Sequence, residues 1–179
     1  MANLVDSVTS TYSVEYGSFS ILDMDGLSRL PSALDPQELY ALTDEGEIWF
    51  AATPNMAIVR SRAGSHHVVR VTLERWDAEP PAEEKGGVGA LVVEMFSSSG
   101  RFWLHNSSGE SSPVLDLGVS GVSWLVRGRR IAMTDPFAEG AGGLDWGGDD
   151  DDDDDNDPGF PEEGLEEFVF RFWPAEARD

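Results

Sequence analysis

The chain contains no cysteine. This absence excludes disulfide bridges, thiolate metal sites and cysteine nucleophiles, and it fits a reducing compartment. The N-terminal residues 1–19 also lack a basic segment and a long apolar run, so they indicate neither a secretory signal nor a membrane span. We therefore expect a cytoplasmic protein that does not enter a membrane.

Positive charge is scarce as well, with 12 Lys and Arg against 34 Asp and Glu and a net charge of −22. Residues 135–167 contain fifteen acidic residues and no Lys or Arg; removing those fifteen from −22 leaves −7 for the rest. The extreme charge therefore belongs to one segment. Such a field repels nucleic acid and anionic membranes and attracts basic proteins. We expect a basic protein partner and no binding of nucleic acid.

What the sequence does contain is a succession of short β-type runs separated by turn residues. In residues 65–76, for example, Val69, Val71 and Leu73 alternate with polar residues, which is typical of a strand with one buried face. Hydrophobic residues make up 40% of the chain, enough for one packed core. The predicted strands cover 12–22, with Tyr12, Val14 and Tyr16 on one face and a break or bulge at Gly17, and 46–52, 56–62, 65–76, 89–96, 101–105, 114–117, 122–133, with an interruption at Gly128, and 165–173.

These runs predict a single all-β domain over residues 1–179, an antiparallel β-sandwich, with a barrel as the alternative. One short helix is expected at about 35–42, because Asp35 is a favourable N-cap and Pro36 suits the first helical position. The last strand, 165–173, should direct Phe168, Phe170 and Phe172 towards one face.

Residues 135–164 are predicted to be a long, disordered acidic insert before this last strand. Eight aspartates in nine positions, 149–157, repel one another and cannot enter a core, and glycines precede them. Loop closure costs grow only logarithmically with length, so such an insert is compatible with paired flanking strands.

No catalytic or metal-binding pattern emerges from the sequence. If Gly159 is aligned with the sharp turn of a calcium loop, Pro158 takes a ligand position and Leu165 the closing position, so the pattern fails. Adjacent His66 and His67 would point to opposite faces of a strand. Ser120 lies in a glycine-flanked turn without the context of a nucleophile elbow. We expect no catalytic residue, metal or cofactor.

Two aromatic residues, Trp146 and Phe160, flank the aspartate run. Apolar side chains beside dense negative charge are what a basic partner with an apolar pocket recognises. A simpler alternative is that these two side chains only attach the ends of the insert to the domain. The candidate partner-binding residues are Trp146, Asp149, Asp150, Asp151, Asp152, Asp153, Asp154, Asp155, Asp157 and Phe160.

Three stretches in the first half of the chain, 14–21 (VEYGSFSI), 46–51 (GEIWFA) and the apolar run 56–60, resemble small bacterial nuclease-inhibitor proteins of the competence protein J type. The closing residues 170–175 (FRFWPA) look like the tail of many uncharacterised actinobacterial proteins. The first resemblance implies a noncatalytic β-sandwich that binds and silences a nuclease. The acidic insert is not part of that pattern, so the resemblance implies no interface residue there.

Two functional hypotheses follow. The first is an inhibitor or immunity-type protein that docks on a basic partner such as a nuclease. The second is an accessory structural or regulatory domain whose acidic loop gives solubility or weak cation binding. An enzyme would instead require a deep pocket lined by histidines or by buried carboxylates with perturbed pKa.

Overall fold

The computed structural model describes residues 1–26, 35–44, 48–64, 67–82, 88–105, 112–132 and 162–175. Within these ranges there are ten strands and one helix, where the sequence predicted nine or ten strands and one helix, and β1 begins eight residues before the first predicted strand. The elements are β1 (Leu4–Val14), β2 (Ser18–Asp23), α1 (Pro36–Asp44), β3 (Phe50–Thr53), β4 (Met56–Arg60), β5 (His67–Trp76), β6 (Val88–Ser97), β7 (Arg101–His105), β8 (Leu115–Asp116), β9 (Val122–Ala132) and β10 (Glu162–Pro174).

The strands form two five-stranded sheets, which confirms the predicted sandwich over the alternative barrel. Sheet 1 has the order β1-β5-β10-β9-β6, and sheet 2 has the order β3-β4-β2-β7-β8. Among the described strands, the pairing of β10 with β5 is parallel and the other pairings are antiparallel. Sheet 1 is therefore mixed rather than wholly antiparallel.

The two sheets meet in an aromatic core centred on β10. Phe168, Phe170 and Phe172 are fully buried on one face, as their alternation predicts. Across the interface, Phe168 packs against Phe19 of β2, with ring centroids 5.4 Å apart. Phe170 contacts Phe50 of β3 at 5.0 Å, and Phe172 stacks on Phe102 of β7 at 5.4 Å.

The predicted bulge at Gly17 is a two-residue turn that moves the chain from sheet 1 to sheet 2. Tyr16 and Gly17 have φ values of 52° and 71°, and Glu15 and Ser18 form a bridge across them. Positive φ at both central positions gives the tight turn that suits right-handed strand twist. Tyr16, expected on the same strand face as Tyr12 and Val14, is instead 75% exposed.

The helix begins where its capping residues predict. The Asp35 carboxylate accepts a hydrogen bond from the Gln37 N–H at 2.8 Å, and the Glu38 carboxylate accepts one from the Asp35 N–H at 3.2 Å. This is the reciprocal pattern of a capping box. Leu39 buries the inner face of the helix against Met56 and Ile58 of β4. No helix in the described ranges has the length and apolar character needed to cross a membrane.

The sequence suggested that Gly128 interrupts β9. In the structure β9 runs unbroken through this residue, and Gly128 makes room for the aromatic core. A Cβ atom at this position would lie 2.8 Å from Phe50 Cδ1, 3.1 Å from Phe170 Cε1 and 3.1 Å from Trp49 Cη2. These distances are shorter than ordinary van der Waals contacts, so rings from both sheets occupy the space of the missing side chain.

We predict that Gly128→Ala lowers the free energy of unfolding by about 1–3 kcal/mol, because the added methyl group overpacks the core. Gly128→Val should cost more, since it adds further volume at the same place. Urea denaturation at neutral pH measures both changes. Equal stability of the wild type and the two variants would contradict this account of Gly128.

Candidate functional site

The sequence-predicted site residues all lie in 133–161, outside the described residues. The structure does fix the points where the chain leaves and re-enters sheet 1 around this segment. β9 ends at Ala132, and β10 begins at Glu162, three residues earlier than predicted. The two strands are antiparallel neighbours, with Ala132 opposite Glu166. We call this end of the sandwich the insert end.

The insert end brings together the ends of strands from both sheets. In sheet 1, His67 at the start of β5 is opposite Val14 of β1 and Glu162 of β10. The Tyr16–Gly17 turn lies here as well, because the Gly17 carbonyl accepts a hydrogen bond of 2.9 Å from the Ser61 N–H.

Glu166 is the unexpected feature of this end. The sequence analysis counted it with the acidic segment, but its side chain is only 2% exposed. Its carboxylate accepts hydrogen bonds from the Ser61 hydroxyl and, at 3.1 Å, from the Arg62 N–H. The Arg130 Nε atom lies 3.7 Å from Glu166 Oε1, and His67 Nε2 lies 3.8 Å from Oε2. We call Ser61, His67, Arg130 and Glu166 the Glu166 cluster.

Glu166 faces inward because it keeps the alternation of the phenylalanines of β10, just after a local irregularity of this strand. Opposite β5, the register shifts between Glu163 and Glu167, so that extra residues of β10 are accommodated there. From Glu166 onwards, every second residue faces the core, and Glu166 shares this face with Phe168, Phe170 and Phe172. That parity is visible in the sequence and could have identified Glu166 as an inward-facing carboxylate. The sequence contained no comparable signal for Ser61.

The carboxylate of Glu166 is held in its charged form. Burial by itself raises the pKa of Glu166, but the nearby His67 imidazole, the hydrogen bonds from Ser61 and the Arg62 backbone, and the charge of Arg130 together outweigh it and lower the pKa below its ordinary value. For Arg130, burial lowers the pKa, an effect that the charge of Glu166 opposes. The guanidinium of Arg130 also lies over the Trp49 ring, 5.5 Å from its centroid.

Serine, histidine and glutamate are the residue types of a hydrolytic triad, but their connections here differ from one. Because the Ser61 hydroxyl donates to Glu166, its contact of 3.1 Å with His67 Nε2 requires the imidazole to donate to the serine oxygen. In a triad the serine donates to the histidine, and the carboxylate accepts from the other ring nitrogen. That other nitrogen of His67, Nδ1, has no partner among the described residues.

The cluster is also closed to solvent. Ser61, His67 and Glu166 are all buried, and two surface clefts of the described structure, one beside Trp173 and one beside Tyr16, are lined by other residues. The arrangement is therefore suited to joining the ends of β4, β5, β9 and β10 rather than to nucleophilic chemistry. In the described part of the chain, no group of three or more histidine or acidic side chains is placed to hold a metal ion.

A surface cleft of about 450 Å³ lies beside the Tyr16 turn. Tyr16, Tyr40 and Met56 contribute apolar surface, while Arg60 and His105 contribute polar groups. The backbone of Tyr16 is in the left-handed region, which disfavours a side chain of this size. A strained, exposed tyrosine beside an apolar cleft has the properties of a contact residue for a protein partner.

We predict that Glu166→Ala lowers the free energy of unfolding by about 3 kcal/mol at neutral pH, because it leaves buried partners without their counter-charge. Glu167→Ala is the matched control, since Glu167 lies on the opposite face of β10 and should change stability by less than about 1 kcal/mol. Chemical denaturation measures both variants. Similar effects of the two substitutions would refute the anchoring role of Glu166.

The lowered pKa of Glu166 also predicts the sign of a pH dependence. Its stabilising effect is fully present above the ordinary, unfolded-state pKa of a glutamate and is lost as pH falls through the lower folded-state pKa. The wild type should therefore exceed Glu166→Gln in stability at neutral pH, and the difference should shrink in acid. Denaturation curves between neutral and acidic pH check this. A difference that grows on acidification would contradict the direction of the shift.

Comparison with known proteins places this fold in context. No protein-family model matches the chain, and no curated protein matches its sequence. Among solved structures, the fold is similar to that of ComJ from Bacillus subtilis, an inhibitor of the DNA degrading activity of NucA. The two structures superpose with a TM-score of 0.55 at 7% sequence identity, and the match covers 98% of this chain and 99% of that chain. It is also similar to crocagin biosynthetic gene J, with a TM-score of 0.50, 12% identity and the same coverage. The resemblance to the competence protein J type is thus confirmed at the level of the fold.

Proposed function

We propose that this protein is a noncatalytic, inhibitor-type protein of the cytoplasm that docks on a basic protein partner, a nuclease. The observation that carries the proposal is the agreement of its fold with ComJ over nearly the whole length of both chains. The net charge of −22 indicates that the partner carries a positive charge, because a strongly acidic protein attracts a basic one.

The acidic insert is the proposed electrostatic contact. Its candidate binding residues are those named from the sequence, the aspartates of 149–157 with Trp146 and Phe160 beside them. A run of carboxylates can compete with a phosphate backbone for the cationic groove of a nuclease, and the run then releases the cations condensed around it on binding. The aromatic residues would add apolar contacts next to this charge.

The described surface at the insert end supports the same orientation of the partner. The cleft beside Tyr16 and the chain ends Ala132 and Glu162 lie at this one end of the sandwich. A partner attracted by the insert would meet an exposed tyrosine on a turn closed by the Glu15–Ser18 bridge. Such an aromatic side chain is a favourable binding contact, because it offers a large apolar surface with a polar group at its end.

The Glu166 cluster supports a noncatalytic role, since its most reactive residue types are already engaged with one another. Ser61 donates to Glu166, and His67 donates to Ser61. The contacts to Glu166 and the charge of Arg130 lower the pKa of its carboxylate, which makes it a weaker base, and the same contacts stabilise the fold.

The test is capture of the partner from the cells that produce this protein. Tagged protein immobilised at low salt should retain a DNA-degrading activity that elutes at high salt, and adding back the free protein should suppress that activity. Removal of 149–157 should weaken the suppression by about tenfold or more at low salt and flatten its dependence on salt. DNA degradation in the eluate is the measurement.

The deletion variant must first show the melting temperature of the wild type, so that its loss of inhibition is a loss of contact. An eluate without DNA-degrading activity, or an activity that the added protein does not suppress, would refute the nuclease as the partner. Suppression that is unchanged by the deletion would refute the role of the aspartates. Stoichiometric calcium binding in a calorimetric titration would instead support the alternative of an accessory, cation-binding domain.

A further inference from the structure

The cleft of about 450 Å³ beside the Tyr16 turn, which we call the Tyr16 cleft, has a polar floor. This floor belongs to the outer face of sheet 2. Ser18 of β2 is opposite Arg60 of β4, and Ser20 of β2 is opposite His105 of β7. All four residues line the cleft. Two hydroxyls, a guanidinium and an imidazole therefore lie close together on three neighbouring strands.

The two serines are almost completely buried although they face away from the core. Ser18 is 8% exposed and Ser20 is 3% exposed, at the bottom of the cleft. In the described part of the chain, neither hydroxyl has a hydrogen-bond partner. The Nδ1 atom of His105 is likewise buried without a partner among the described residues. Buried polar groups are paired in almost all proteins, so these three side chains indicate a partner that comes from outside the chain.

The walls of the Tyr16 cleft are aromatic and apolar. Tyr16 comes from the turn, Pro36 and Tyr40 come from α1, and Met56 comes from β4. The volume is near the lower end of the range of about 300–1,000 Å³ that ligand sites occupy. The cleft therefore has room for a short extended stretch of chain, and a helix or a folded domain is too large for it.

The charges around the Tyr16 cleft favour an uncharged ligand. Glu15 and Arg60 both line it, and with His105 neutral their formal charges cancel. An anion would have to approach a protein with a net charge of −22, and a cation would find a single carboxylate. A ligand with uncharged acceptor groups and apolar surface meets neither difficulty, and it satisfies the hydroxyls and the imidazole as well.

We propose that the Tyr16 cleft binds an extended, proline-containing segment of the protein partner. Consecutive prolines have no backbone N–H and make no internal hydrogen bonds, so their carbonyl groups are open acceptors. These carbonyls accept from Ser18, Ser20 and His105 on the floor. The proline rings pack on Tyr16 and Tyr40, which is how grooves lined by aromatic residues recognise such segments. The assignment of the segment to the partner rests on the proposed function, whereas the peptide specificity of the cleft does not.

A peptide titration of the complete protein tests the proposal without the partner, so its failure is distinguishable from failure of the nuclease test. Acetyl-tetraproline-amide is added to isotope-labelled protein, and the amide NMR signals are followed. The signals of Ser18, Ser20 and His105 should shift and saturate. Acetyl-tetraalanine-amide, which has the same number of carbonyls but no rings, should bind at least about tenfold more weakly.

Two variants connect the binding to the floor and to the wall of the cleft. Ser20→Ala removes one hydroxyl and should raise the dissociation constant about fivefold. Tyr16→Ala removes a side chain that is 75% exposed and should raise it about tenfold. Val119→Ala is the matched control, because Val119 is 50% exposed in the turn at 118–121 and does not line the cleft. The three variants should keep the melting temperature of the wild type.

Four outcomes would overturn the proposal. They are signals that do not saturate, shifts away from the cleft, equal affinity for the two peptides, and an affinity that Ser20→Ala and Tyr16→Ala leave unchanged. Saturable binding of 3-phenylpropionate in place of tetraproline would also overturn it, because the cleft would then be a site for a small carboxylate.

Discussion

The two sheets hold together through the alternating phenylalanines of β10. Phe168, Phe170 and Phe172 contact rings from β2, β3 and β7, so a single strand of sheet 1 packs across most of sheet 2. Each buried phenylalanine contributes about 1.5–3 kcal/mol through burial of apolar surface. Gly128 is required by the same layer, because rings from both sheets occupy its side-chain space. The other parts of the fold surround this aromatic layer.

Buried polar groups fix the two ends of the sandwich that this apolar layer leaves unspecified. At the insert end, Glu166 joins strand ends of both sheets. At the opposite end, the buried carboxylate of Asp23 accepts from the Ser97 hydroxyl at 2.5 Å, and buried Asn55 donates to the Gly26 carbonyl at 2.9 Å. These bonds are directional, whereas apolar contacts are not, so they set the register of strand ends and turns.

Much of the fold could be predicted from the sequence, because its strands alternate strongly and its helix has a clear cap. The burial of Val69, Val71 and Leu73 and the capping by Asp35 follow from local patterns. The parallel pairing of β10 with β5 does not, since the direction of a partner distant in sequence leaves no trace in a strand's own alternation.

Two residues were placed wrongly from the sequence. Tyr16 was assigned to the wrong face because its backbone is left-handed, a conformation that tyrosine rarely adopts, and this breaks the alternation. Glu166 was grouped with the acidic segment because of its charge, although its position two residues before Phe168 places it on the buried face of β10. The candidate binding residues of the insert lie outside the described residues, so for them the sequence remains the only guide.

The central place of β10 in sheet 1 has a consequence for the order in which the protein is synthesised. β10 follows all other described strands in the chain, yet it separates β5 from β9. While the ribosome has produced only the chain up to Ala132, β5 and β9 each present an unpaired side, and the rings of sheet 2 lack their cover. The acidic residues of the insert emerge next, before β10 does. Their mutual repulsion between neighbouring nascent chains opposes aggregation during the interval in which the fold is still incomplete.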